Sequence, residues 1–497
     1  MVRKEFPRCT PESVGISSAA ISRFLDRLES GFTEMHGLMI MRRSRVCAEG
    51  WWAPYAPGLR HGLQSHTKTY AATAVGIAVT EGKVSLDERV IDIFPEFAPE
   101  NPSENLKKLT VHNVLSMGCG MEEMPRPTEN WIRDFLSIPV VHEPGTAYMY
   151  NSTGSTLLAA IVKKKTGEDM MAYLKPRLFD KIGIDADNLK MGRMPDGTPV
   201  GGGGMLATTE DNLRLMKLYA DGGVWEGERI LSDDYVKRAT TNQNDSATEA
   251  INNPPALDNF VGYGYQIWMC RPKGVYRADG AMGQFTIVDP SRDLIIAINE
   301  TATGAHWAQE TLNVCWEFLE EIDPETAMTP ENPALSEALA RRMKMLAIPA
   351  SLYAPFGSFP EGSFAVKSGQ VHLENQVLGF MSGEAPGAGL TRFGFSEGED
   401  GCVTLAAEID GKPYSLSVAV DGRRALNRLP AGLVSQVYLS GYWKEADTFA
   451  VRARWIETCF EKEVCFQFIG DRCVVTEEEV VGGFLNRPVT PAEAVKQ

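Results

Sequence analysis

Residues 65–83 read S-H-T-K-T-Y-A-A-T-A-V-G-I-A-V-T-E-G-K. After Lys68 the run is built of small apolar residues, Ala71, Ala72, Ala74, Val75 and Ala78, in a strongly helical pattern. A helix that is apolar all round is a buried helix. Ser65 and Lys68 lie three residues apart, so on a helix they share a face and the amine sits beside the hydroxyl. A serine alcohol is a weak nucleophile unless a base takes its proton. An amine can do that when desolvation or a neighbouring cation keeps it neutral. Taken alone, the tetrapeptide favours a solvated lysine on an exposed turn. The apolar run behind it argues for burial.

The pattern on either side of this helix points to an α+β fold. A helix begins at Ser17 or Ser18, either of which can cap it. It carries Ile21, Phe24, Leu25 and Leu28 on one stripe, and Gly31 ends it. A strand-like run from Leu38 to Val46 turns at Arg43-Ser44. Helical patterns dominate from Ser65 to about Tyr219. Strand signals return at Tyr265–Cys270, Val275–Ala278, Phe285–Val288 and Leu294–Ile298. An amphipathic helix, about Ala305 to Ile322, puts Leu312, Cys315, Phe318 and Leu319 on one face. The simplest packing joins early and late strands in one antiparallel sheet, with the helical block inserted between them.

Prolines 324, 330 and 333 mark a boundary between Ile322 and Ala334, and a short helix from Ser336 to Leu346 follows. Beyond it the period becomes two. Tyr414, Leu416, Val418 and Val420 alternate with smaller or polar residues, as do Phe449, Val451, Ala453 and Trp455, and again Val464, Phe466 and Phe468. Gly470-Asp471 is a turn signal. Two domains are expected: residues 1–345, and an all-β domain over 346–497, sandwich or barrel.

The chain has 497 residues, 43% hydrophobic and 23% charged, which excludes disorder, collagen and coiled coil as whole-chain readings. Its net charge of -16 would repel a phosphate backbone, so no nucleic acid partner is expected. No apolar run reaches membrane-spanning length, and no apolar segment follows the charged N-terminus as in a secretory signal. Nine scattered cysteines without a C-x-x-C pair fit a reducing cytoplasm. Cys459, Cys465 and Cys473 read as buried thiols on strands and not as a metal site. No G-x-S-x-G nucleophile elbow, zinc helix or P-loop is expected. The Gly201–Gly204 run lacks the context of a dinucleotide fingerprint and reads as a flexible loop.

Two further segments bear on chemistry. P-G-T-A-Y-M-Y-N-S-T-G, residues 144–154, offers Tyr150 and Ser152 on a loop before an apolar helix, Leu157 to Val162. A phenol near an amine is a second proton relay, or equally a buried core tyrosine. R-A-D-G-A-M-G-Q, residues 277–284, is a strand with glycines that let a ligand approach the backbone.

Taken together, Ser65-His66-Thr67-Lys68, E-G-K-V-S-L-D-E from Glu81, L-T-V-H-N-V-L-S-M-G-C-G from Leu109, the 144–154 segment, G-G-M-L-A-T-T-E-D from Gly203 and the 277–284 segment resemble the serine β-lactamase-like, penicillin-recognising hydrolases. The resemblance covers roughly residues 10–322 and keeps the family's order. It implies an antiparallel sheet flanked by helices, with the active site between sheet and helical region, and no cofactor or metal. Its members include class C β-lactamases, D,D-peptidases, D-aminopeptidases, carboxylesterases and 6-aminohexanoate-dimer hydrolases.

By motif the resemblance implies Ser65 as acylated nucleophile and Lys68 as its base or proton shuttle. Tyr150 would be the acid and base serving leaving group and water. The backbone N–H groups of Ser65 and Ala281 would form the oxyanion hole. Two departures bear on substrate binding. Ser152 stands where the family's Y-x-N has asparagine, and Ala278-Asp279-Gly280 replaces K-T-G or H-x-G, so no cation holds the first position. Period two puts Arg277 and Asp279 on the strand face opposite Ala278 and Gly280. They read as a structural ion pair, with contact to a charged substrate end as the alternative. His66 reads as a packing residue. Tyr263 and Tyr265 either line the pocket or are edge-strand aromatics. The expected activity is a serine hydrolase on small esters or amides. An acyltransferase using the same acyl-enzyme, a catalytically silent binding homologue, and a homo-oligomer all stay open.

Overall fold

Apolar strands from both ends of the first 350 or so residues meet in one sheet. In the computed structural model, β1 (Thr33–Arg42), β2 (Arg45–Trp51), β3 (Trp268–Met269), β4 (Tyr276–Gly280), β5 (Gln284–Asp289) and β6 (Leu294–Ala302) pair antiparallel in the order β2-β1-β6-β5-β4-β3. The structure describes residues 4–125, 128–249, 256–302, 308–354, 357–373, 387–431, 433–481 and 490–497. The chain divides between Ala347 and Ile348 into two units.

In the first unit, helices α1 (Ser18–Leu28), α2 (Thr67–Thr80), α3 (Ser152–Thr166), α4 (Thr209–Ala220) and α5 (Gln309–Glu320) surround the sheet. The Ser17 hydroxyl caps α1 by accepting from the Ala20 N–H at 3.1 Å. Arg43 and Ser44 turn between β1 and β2 with φ of 51° and 58°. The core packs Ala71, Ala74, Val75 and Ala78 of α2 with Leu157, Leu158 and Ile161 of α3 and with Met39, Met41 and Ile295 of the sheet. Burial of α2 on every face is what its small apolar run requires.

Several boundaries move. The edge strand expected over Tyr265–Cys270 shrinks to Trp268–Met269, because Gln266 adopts φ 57° and its side-chain amide is tied to the Leu115 carbonyl at 2.8 Å. Helix α3 starts five residues before the expected Leu157, since the Asn151 side chain accepts from the Gly154 N–H at 2.8 Å and caps it. Ser152 is therefore the first residue of a helix and not part of a loop. Ala305, the expected start of the amphipathic helix, lies outside the described residues, and α5 buries Leu312, Cys315, Phe318 and Leu319. The boundary prolines include a helix start: α6 (Pro333–Lys344) has Asn332 as its cap and Pro333 at a position where its missing N–H costs nothing.

The second unit is a ten-stranded barrel. Its strands are β7 (Phe364–Ser368), β8 (Leu390–Glu397), β9 (Cys402–Ile409), β10 (Lys412–Ala419), β11 (Ala425–Ala431), β12 (Val434–Glu445), β13 (Thr448–Trp455), β14 (Phe460–Ile469), β15 (Arg472–Val481) and β16 (Ala492–Lys496). Their order is β10-β9-β8-β7-β16-β15-β14-β13-β12-β11, and a parallel contact of Ala419 with Ser440 joins β10 to β12. Phe449, Val451, Ala453, Val464 and Phe466 are buried as their period predicts. Contrary to expectation the spacing G-x-S-x-G does occur, at Gly394-Phe395-Ser396-Glu397-Gly398. It ends strand β8 and leads to another strand, so it is not the strand-to-helix elbow. All nine cysteines are free; Cys465 and Cys473 lie on strands and Cys459 in the turn before β14.

Candidate active site

Gln64–His66 form one 3₁₀ turn that runs into α2, with Gln64 at φ 50°. The turn leaves Ser65 half-buried while Lys68 is only 1% exposed. The Lys68 Nζ donates to Ser65 Oγ at 2.9 Å and to the Gly202 carbonyl at 2.5 Å. Loss of hydration lowers the pKa of the amine to about 7, against a smaller opposing pull from Asp279. The Tyr150 side chain lies by that of Ser65, and Lys68 Nζ lies 4.8 Å from the centre of its ring. Burial pushes the Tyr150 phenol up, while the neighbouring Ser65 side chain draws it down. Its ring stacks on Trp268 at 5.4 Å and meets Tyr263 edge-on at 6.3 Å. Serine, amine and phenol therefore lie together in one cluster.

The Gly201–Gly204 run is a correction. It is buried and packed, not a flexible loop. A Cβ on Gly202 would lie 2.4 Å from the Ser152 carbonyl, so only glycine lets this carbonyl reach Lys68. Sequence reasoning missed Gly202 as the amine's second anchor. Ser152 stands at the start of α3 and its hydroxyl makes no hydrogen bond among the described residues. The lysine is held by backbone here, not by the residue two after the tyrosine.

Strand β4 brings the remaining predicted residues in. A Cβ on Gly280 would sit 2.0 Å from the Leu63 carbonyl, which places the end of β4 directly against the Ser65 turn and Ala281 beside it. Ala278 faces the core and is fully buried. Arg277 is fully buried too. Its Nε donates to Asp279 at 2.7 Å, its Nη1 to the carbonyls of Met269 and Asp258 at 3.2 and 3.3 Å, and its Nη2 to Asn259 at 2.6 Å. All three nitrogens are engaged inside the protein. Asp279 keeps 19% of its side chain exposed, is pushed up by burial, and is drawn down by Arg277 and, more weakly, Lys68. The charge that this strand turns to solvent is thus a carboxylate.

His66 is buried, pairs with the Thr286 hydroxyl at 3.0 Å, and is lowered to about 4 by burial, which makes it a neutral packing residue. Tyr265 bonds His112 at 2.7 Å and packs on Tyr235, so of the two tyrosines only Tyr263 joins the cluster around Tyr150. Trp268, the platform under Tyr150, was not foreseen. Among the described residues no group of three His, Cys, Asp or Glu side chains is set to hold a metal.

Comparison with known proteins gives the class. The Beta-lactamase family model matches residues 25–313, and the chain belongs to that family. It is 26% identical over 323 residues to the 6-aminohexanoate-dimer hydrolase of Paenarthrobacter ureafaciens, covering 59% of this chain and 80% of that one. It is 28% identical over 202 residues to penicillin-binding protein 4 of Amycolatopsis lactamdurans, covering 34% and 53%. A penicillin-binding protein homologue from Caulobacter crescentus shares the fold at 18% identity, with a TM-score of 0.51 over 63% of this chain and all of that one. The protein is accordingly a serine hydrolase of the beta-lactamase family, an enzyme for amide or ester bonds. No helix among the described residues is long and apolar enough to cross a membrane.

Proposed function

We propose that the protein cleaves small, uncharged acyl esters or amides through an acyl-enzyme on Ser65. The observation that carries this reading is the 2.9 Å bond from Lys68 to the Ser65 hydroxyl, with the Tyr150 ring 4.8 Å from the amine. With its pKa near 7, a large share of Lys68 is neutral at physiological pH and can take the Ser65 proton. Oγ then attacks the acyl carbon, and the carbonyl oxygen gathers negative charge between the N–H groups of Ser65 and Ala281. Tyr150, held protonated by burial, gives its proton to the leaving group and recovers one from Lys68. The acyl–leaving-group bond breaks as this proton arrives. Water repeats the sequence on the acyl-enzyme, with the relay run backwards.

Buried Arg277 and half-shielded Asp279 support a preference for neutral substrates over those bearing a carboxylate, including β-lactams. Ser152 and Gly280 would flank the substrate. Nine free cysteines support a reducing, cytoplasmic setting. The test is Ser65→Ala with p-nitrophenyl butyrate and a fluorophosphonate probe. Turnover and labelling should both vanish while the melting temperature holds; wild-type turnover in the variant would end the assignment.

A further inference from the structure

The turn that carries the second oxyanion donor is held from inside the sheet. Residues 281–283 join β4 to β5, with Met282 at φ 66° and Gly283 at φ 87°. A non-glycine residue in that region is strained and needs its surroundings to hold it there. The Gln284 side-chain amide donates to the carbonyl of Glu300 at 2.7 Å and of Met282 at 3.2 Å, and reaches that of Ala281 at 3.5 Å. Its oxygen accepts from the Asn299 side chain at 2.9 Å, and the Asn299 oxygen accepts from the Thr209 hydroxyl at 2.7 Å. Thr209 is the first residue of α4. From below, the Glu300 carboxyl fills the space where a Cβ on Gly283 would stand, 1.9 Å away. The Ala302 N–H closes the set on the Met282 carbonyl at 3.1 Å. Gln284, Asn299, Thr209 and Glu300 are all buried.

Gly280 is fixed by its ladder pairing with Gln284, and the next two carbonyls are tied by the Gln284 amide. Rotation of the Ala281 peptide is thereby restricted on both sides. Buried amides of this kind cost stability unless paired, and here the pairing ends on a turn whose backbone the proposed chemistry uses.

We propose that Gln284, backed by Asn299 and Thr209, is the positioning residue that aims the Ala281 N–H into the oxyanion hole. This rests on the acyl-enzyme reading given above. Loss of an oxyanion donor costs typically 10²–10³ in kcat, so loosening one should cost about tenfold or more. Gln284→Met keeps the bulk and removes the amide. Thr209→Val, at the far end of the relay, is the milder change and decides the matter if Gln284→Met does not fold. With p-nitrophenyl butyrate, Gln284→Met should lose about tenfold in kcat with KM within about twofold, and Thr209→Val about two- to fivefold. Inhibition by phenylboronic acid, which forms a tetrahedral adduct on serine, should weaken in the same proportion. Wild-type kcat in the folded variants, or a loss confined to KM, overturns the proposal. Failure of the wild-type enzyme to label at Ser65 with a fluorophosphonate would instead overturn the reading on which it rests.

Discussion

The rate of Ser65 acylation should follow the ionisation of one buried amine. A solvated lysine titrates near 10.5, and burial brings Lys68 to about 7. At pH 7 a solvated lysine is neutral in about one molecule in 3,000, whereas Lys68 is neutral in about half. Burial thus multiplies the competent base by roughly 10³. The amine acts in its neutral form, so kcat/KM should climb about tenfold per pH unit below 7 and level off above it. Asp279 favours the ammonium, so Asp279→Asn should move the midpoint to lower pH and raise the rate on the acid side. Stopped-flow release of p-nitrophenol from pH 5 to 9.5 measures the profile. A midpoint near 10, or one that stays in place or rises in Asp279→Asn, would refute this account of the lysine.

Tyr150→Phe and Lys68→Ala should each lower kcat by about 10²-fold or more, and the double variant should lose less than the product because both serve one proton path. Additive losses would separate the two into different steps. Nitrocefin should give a lower kcat/KM than p-nitrophenyl butyrate, and Asp279→Asn should narrow the gap; a higher value for nitrocefin in the wild-type enzyme contradicts the assignment of Asp279. Burial raises the Glu300 carboxyl from an ordinary value near 4.5 to about 8. Between those values the unfolded chain has lost this proton and the folded chain keeps it, so this group's contribution to stability is lost as pH rises from about 4.5 to 8. Glu300→Gln should flatten that slope, read as melting temperature at pH 5 and pH 8.5, and an unchanged slope would show that Glu300 is not its source.

What could be read from the chain follows from which forces leave a local signature. The Ser65 helix was legible because small apolar residues on every face have one explanation, burial. The sheet was legible because strand patterns bracket a helical block. Gly202 was not, because its contribution is a backbone carbonyl reaching Lys68 across 134 residues, and no side chain marks it. The helix start at Ser152 was not legible either, because the cap that sets it is the Asn151 side chain turning back to the Gly154 N–H. Arg277 and Asp279 were recognisable as a pair from period two, and the structure adds that the arginine is engaged by five internal partners. The second unit showed its period but not its closure. Sandwich and barrel alternate alike, and the contact of Ala419 with Ser440 lies outside any strand pattern.

The ladder between β1 and β6 fixes when this enzyme can exist. Arg42 pairs with Leu294 and Thr33 with Ala302, so partners in the central sheet are separated by about 250 residues of chain. At roughly 5–20 residues per second, a ribosome completes β1 some 12–50 s before β6 emerges. During that interval Leu38 to Met41 have β2 on one edge and nothing on the other, an open edge that other chains can join. The α2 helix and the Ser65 turn before it wait about 200 residues for β4 and Ala281, roughly 10–40 s at the same rate. Ser65 is made early, and the sheet beside it is completed only by its last strand. Such long-range pairing also makes refolding of the whole unit slow, since loop closure must precede the contacts that reward it.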